Sequence, residues 1–187
     1  MLYTKTWISI VVSLVILCSV SLAHTADYRN VNWGMSKSEV KQNETQLTLI
    51  PDDEDSNDLY YRGEIAGHNI RLHYNFTNNV LSDVYVSFQI KHTNFDLFID
   101  DYKSLKDQLT QKYGNPVYDK QLGKKNRYRS IIGMDVATGR IRFMTNWNIP
   151  KARIFLNLRG DNYKVNLSIS YLSNKFYVYK TKNLKDL

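Results

Sequence analysis

Two hydrophobic periods alternate along the chain. Ile70, Leu72, Tyr74 and Phe76 are separated by Arg71, His73 and Asn75, and after Thr77-Asn78-Asn79 the set Val84, Val86, Phe88 and Ile90 alternates with Tyr85, Ser87 and Gln89. A period of two predicts an antiparallel hairpin with one face buried. The same pattern returns in Ile141, Phe143, Thr145 and Trp147, then in Ile154, Leu156 and Leu158, and then in Val165, Leu167, Ile169 and Tyr171, with Gly160-Asp161-Asn162 as the turn between the last two. Tyr60–Ile65 also reads as strand. Between these sets the period is helical. Phe98, Tyr102, Leu105, Leu109 and Tyr113 form one stripe, Asp96, Asp100 and Asp101 occupy the N-terminal turns, and Gly114 with Pro116 ends the helix. Ser36 and Glu39 have capping-box spacing and open a shorter helix running to about Glu44.

The expected architecture is α+β: two helices packed on a largely antiparallel β-sheet. The order helix, strands, helix, strands leaves open whether two α-then-β-meander half-repeats share the sheet or an α+β sandwich forms without duplication. Leu105, Leu109, Val86, Phe88, Leu156 and Ile169 are the expected continuous core. The segment Lys120–Arg129 is expected to be a basic loop.

Composition changes this picture in two ways. The apolar run Trp7–Val20 follows Lys5 and precedes Ser21-Leu22-Ala23, the pattern of a secretory signal peptide; it is short for a membrane span and broken by serines. Residues 1–23 are therefore expected to be a leader, residues 24–187 a single α+β domain, and the location periplasmic or secreted. The chain has one cysteine, Cys18. Leu17 before it argues against acylation, so cleavage after Ala23 would leave no cysteine, no disulfide and no thiol chemistry.

Charge is unevenly divided. Residues 24–100 carry six basic and twelve acidic side chains, and residues 101–187 carry eighteen basic and six acidic. Arg140, Arg142, Arg153 and Arg159 alternate with core positions on two neighbouring strands, which places them on the non-core face as a candidate anion site for phosphate or carboxylate. Partners of that chemistry in an envelope are an anionic polymer, a lipid headgroup or an acidic protein. Nucleic acid is not expected, since export removes the chain from it and no nucleic-acid fold signature occurs.

Other chemistry is thin. Asp53, Asp55, Asn57 and Glu64 fall in an EF-hand-like register, but Asp58 stands where the loop needs glycine. The histidines lack zinc-site spacing, and no nucleophile elbow, phosphate loop or dinucleotide fingerprint is present. No metal, no cofactor and no catalytic residue is assigned.

The segment Tyr28-x-x-Val31-x-Trp33-Gly34-Met35-Ser36-x-x-Glu39-Val40 resembles the opening of a group of uncharacterised bacterial exported proteins. The stretches Tyr102-x-x-Leu105-x-x-x-Leu109-x-x-x-Tyr113-Gly114-x-Pro116 and Trp147 to Leu156 are similar to the same group. Over one helix, Gly34-x-Ser36-x-x-Glu39-Val40 is also similar to small outer-membrane-assembly lipoproteins and to β-lactamase-inhibitor-like domains. The resemblance rests on packing and turn residues and implies export and fold, not activity.

The function expected from the sequence is a non-catalytic exported binding or envelope-associated module. The alternatives are a periplasmic hydrolase with dispersed catalytic residues and an inhibitor-like partner of a secreted enzyme. Intact mass of the exported form checks the leader: the mature chain should begin at His24, and labelled palmitate should not enter at Cys18.

Overall fold

The computed structural model describes residues 26–51, 58–124 and 131–176. The expected leader, the acidic run 52–55 and residues 125–129 of the expected basic loop lie outside these residues, while the loop's first four residues belong to a strand. Three helices, α1 (Lys37–Asn43), α2 (Asp96–Tyr113) and α3 (Ile132–Ala137), accompany eight strands. The strands are β1 (Thr48–Ile50), β2 (Leu59–Ile65), β3 (His68–Thr77), β4 (Val80–Phe88), β5 (Tyr118–Gly123), β6 (Ile141–Asn148), β7 (Ala152–Asp161) and β8 (Lys164–Ser173). They form one antiparallel sheet in the order β1-β2-β3-β4-β8-β7-β6-β5. Each half is a helix followed by a four-stranded meander, and the last strands of the two meanders pair at the centre.

Local sequence explains most of the elements. In α1, Ser36 and Glu39 make the reciprocal capping box, and their hydrogen bonds hold the Glu39 carboxyl below its ordinary range. Gly114 closes α2 at φ +81°, a left-handed conformation costly for other residues. The hairpins turn on Ala66-Gly67, Asn78-Asn79 and Asn162-Tyr163, all at positive φ, the geometry that matches the twist of the flanking strands. The last turn therefore lies one to two residues beyond the expected Gly160-Asp161-Asn162 centre and keeps Asn162.

Two elements had no period to announce them. β5 is an edge strand whose exposed Lys120 and Gln121 break the apolar alternation, so its sequence looks like loop. α3 is six residues long with no side-chain cap, too short for a helical stripe. Its position depends on Gly160 of β7: a β-carbon there would sit 2.2 Å from the Val136 carbonyl oxygen. The sheet thus carries three helices among the described residues where two were expected.

The helices and the segment Tyr28–Met35 cover one face. Leu105, Leu109, Val86, Phe88, Leu156 and Ile169 lie in a single buried cluster, as the alternation requires. At the first half, Tyr28 packs on Tyr74 of β3 and Tyr171 of β8 with ring centroids 6.3 and 4.7 Å away. Burial raises the pKa of all three phenols. Glu44, 4% exposed, caps the end of α1; it accepts from Arg29 Nε at 2.9 Å and from Tyr74 Oη at 2.7 Å. At the second half, the Tyr102 hydroxyl of α2 bonds Thr145 of β6, and burial pushes the phenol up to about 12. Asp119 accepts from Thr145 and Lys106; partial burial raises its pKa, but these bonds and the nearby lysine charges outweigh it and leave it lowered.

The residues of the Tyr28–Val40 motif serve this packing. Tyr28, Val31 and Val40 are buried, Gly34 and Met35 pair their backbone with Leu81, and Trp33 packs against the core. Leu109 is 7% exposed where α2 meets the sheet cluster. Leu109→Ala should cost about 2–5 kcal/mol through lost burial and the cavity left behind, read as a lowered denaturant midpoint.

Candidate functional site: the open face of the sheet

Because side chains alternate across a pleated sheet, covering one face with helices leaves every second residue of eight strands on the other. Among the described residues no helix lies on that open face. Its layout follows from the strand registers.

One row across the sheet is aromatic. Tyr60 of β2 is opposite His73, His73 opposite Tyr85 of β4, and Tyr85 opposite Ser170 of β8. Ser170 is then opposite Phe155 of β7, Phe155 opposite Asn146, and Asn146 opposite Tyr118 of β5. All of these are half-buried. Tyr60 stacks on His73 at 4.1 Å, and the Tyr85 hydroxyl donates to Asn166 at 3.3 Å, which fixes the ring along the sheet.

The adjoining row is basic at both ends. Arg62 and Arg71 are directly opposite one another, followed by Ser87, Ser168, Asn157 and Met144, and by Lys120 at the far edge. One row further out, Arg142 of β6 and Arg159 of β7 line a depression of about 280 Å³ with Tyr85, Met144, Asn157 and Ser168. Continuing the register by one residue from the Phe143–Leu158 pair sets these two arginines opposite each other. Arg62 and Arg71 line a second depression with Asn69 and Gln89. All four arginines are exposed, and none has a carboxylate within salt-bridge distance among the described residues. Like charges set directly opposite on a sheet repel. Glu64 is the nearest acidic residue along β2, on the same face.

The four arginines expected from sequence do not gather. Arg142 and Arg159 come together. Arg153 is half-buried at the other end of β7, six residues from Arg159, or about 20 Å along the strand. Arg140 precedes β6 and turns to α3, where its Nε and Nη2 reach Oδ1 of the fully buried Asp135 at 2.8 and 2.7 Å. Its charge is committed to that carboxylate. Sequence reasoning missed Arg62, Arg71, Tyr60, Tyr85 and Tyr118 as members of this face. The strands of all but Tyr118 were visible, but the registers that align them were not, and Tyr118 lies in the edge strand β5, whose sequence looks like loop.

The other chemical candidates stay apart. His73 lies 3.1 Å from Asp58, and His92 2.6 Å from Asp101. No serine or threonine hydroxyl is hydrogen-bonded to either imidazole among the described residues, and no group of three potential metal ligands occurs among them. Glu64, the twelfth position of the EF-hand-like register, lies within β2, and Asp58 bonds the Phe76 amide. No helix of the described residues is long and apolar enough to cross a membrane. The fold and face define a two-layer α+β protein whose sheet carries an aromatic and arginine-bearing face on which none of the described helices lies. No family model, no curated protein and no solved structure matches the chain.

The two kinds of arginine should separate in a stability measurement. Arg140→Ala removes the arginine from a buried carboxylate and should cost about 2–4 kcal/mol. Arg142→Ala should leave the unfolding free energy within about 0.5 kcal/mol of wild type, as surface changes do.

Proposed function

We propose that this chain is an exported, non-catalytic binding module that holds an anionic envelope component on the open face of its sheet. The observation that carries this reading is the arrangement of Arg62 with Arg71 and of Arg142 with Arg159: two pairs of exposed arginines at opposed positions on neighbouring strands, with no carboxylate within salt-bridge distance among the described residues. Such pairs cost stability in isolation. An anion bridging each pair removes the repulsion and accepts the planar bidentate hydrogen bonds that guanidinium offers. The location outside the cytoplasm rests on the leader-like pattern of residues 1–23. An envelope supplies anionic polymers and headgroups, which this face suits better than it suits a small neutral solute.

Co-sedimentation with phosphatidylglycerol vesicles and with lipopolysaccharide, at low and high salt, tests the reading. Wild type should bind at low salt and release as salt screens the charges over a Debye length of about 8 Å at physiological ionic strength. Arg142→Glu with Arg159→Glu should weaken binding roughly tenfold or more, and Arg62→Glu with Arg71→Glu should do likewise. Arg71→Thr should hold or raise the thermal midpoint, because it removes a like-charge pair. Absence of wild-type binding to either probe at low salt overturns the proposal.

A further inference from the structure

The aromatic row has a period. In the order of strands across the sheet, Tyr60, Tyr85, Phe155 and Tyr118 stand on every second strand, and the strands between contribute His73, Ser170 and Asn146. Two inter-strand steps amount to about 9.6 Å. An extended β-1,4-linked glycan repeats over a closely similar length, because each sugar is turned by half a revolution from the last and every second pyranose presents the same face.

We propose that the open face binds a single extended acidic glycan of this linkage, lying across the strands along the aromatic row. This rests on the anion-binding reading above and names its ligand. Alternate sugars place their apolar C–H faces on Tyr85, Phe155 and Tyr118 and on the side of Tyr60 that His73 does not cover, a use of aromatic surface that needs one apolar side and one wet edge. Between them, Ser170 and Asn146 offer a hydroxyl and an amide to the sugar hydroxyls. Carboxylate or phosphate substituents on one edge of the chain meet Arg62, Arg71 and Lys120, which occupy the adjoining row on one side. The row on the other side carries Asp83 opposite Leu172 and Leu172 opposite Arg153, without that run of exposed cations. The asymmetry gives the ligand an orientation.

The right-handed twist of an open sheet rotates successive strands by roughly 20–25°. A row that crosses seven strands therefore winds, and a separate, flexible chain follows it where the flat surface of a crystalline polysaccharide does not. The depression beside Tyr85, bounded by Arg142 and Arg159, lies next to the row and takes a substituent that projects from the chain.

Intrinsic fluorescence titration with oligomannuronates, acidic β-1,4-linked chains of increasing length, tests the inference beside phosphatidylglycerol vesicles, which carry charge and no sugar ring. Affinity should rise with chain length and level off at about eight sugars, two for each aromatic position. Tyr85→Ala and Phe155→Ala should each weaken oligomannuronate binding roughly tenfold, and Phe155→Ala, whose ring lies outside the arginine-lined depression, should leave vesicle binding unchanged. Tyr85→Phe keeps the ring and should bind as wild type does, with thermal unfolding confirming that every variant is folded. Arg62→Glu with Arg71→Glu should weaken both ligands. Vesicle binding without oligomannuronate binding, or oligomannuronate binding that ignores the loss of the rings, overturns the glycan and leaves the anion reading standing. Loss of both in the wild type overturns both. Tighter, ring-dependent binding of oligothymidylate overturns the glycan in favour of a single-stranded nucleic acid.

Discussion

The pairing of β4 with β8 is the contact on which the rest of the architecture depends. It joins Asp83–Phe88 to Leu167–Leu172, strands more than 80 residues apart in places, and fuses two four-stranded meanders into one sheet. Without it each meander would expose an edge at the centre of the molecule, a row of unpaired amides and carbonyls open to association. The seam is reinforced from the covered side. Tyr28 packs on Tyr74 in one half and on Tyr171 in the other. Closing a seam between such distant segments carries a loop-closure cost, so both meanders are expected to be largely formed when it closes.

The same seam makes the open face continuous. Tyr85 and Ser87 belong to the first half, Ser168 and Ser170 to the second, and their side-by-side registry lets the aromatic and basic rows run across the whole sheet. A single half would carry only Tyr60, His73 and Tyr85, or only Phe155 and Tyr118. Stability and recognition thus draw on one constraint, with opposite requirements on its two sides. The covered side needs apolar, interdigitating residues without cavities. The open side holds polar and aromatic groups that keep water contact.

Buried charge follows the same division of labour. Glu44 with Arg29 and Asp135 with Arg140 each set a buried carboxylate against an arginine that reaches solvent at the boundary of the helical layer. The first ties the segment after residue 26 to the end of α1, and the second ties α3 to the start of β6. A charge that is costly to strand fixes the relative placement of the elements that share it. Arg142, two residues from Arg140, has no such partner among the described residues and lines the depression on the open face.

The sequence by itself determined which residues are buried along each long element. The alternation in β3, β4, β6, β7 and β8 and the stripe of α2 are local consequences of periods of 2 and 3.6, so they are legible from neighbours alone. The capping box at Ser36 and the stop at Gly114 are local for the same reason. β5 and α3 were not legible, because an exposed edge strand does not need apolar alternation and a six-residue helix is held by its fit over Gly160. The candidate site divides likewise. That Arg142, Arg153 and Arg159 leave the core face follows from parity, but parity does not say which positions on different strands meet. Register decided that Arg142 joins Arg159 and that Arg153 stands about 20 Å away, and the buried carboxylate of Asp135 decided that Arg140 belongs to α3. Register also brought Arg62 beside Arg71 and aligned aromatics from four strands into one row. Cross-strand alignment is a relation between distant segments set by turns, bulges and the pairing of the two halves, and so it exists only in the folded sheet.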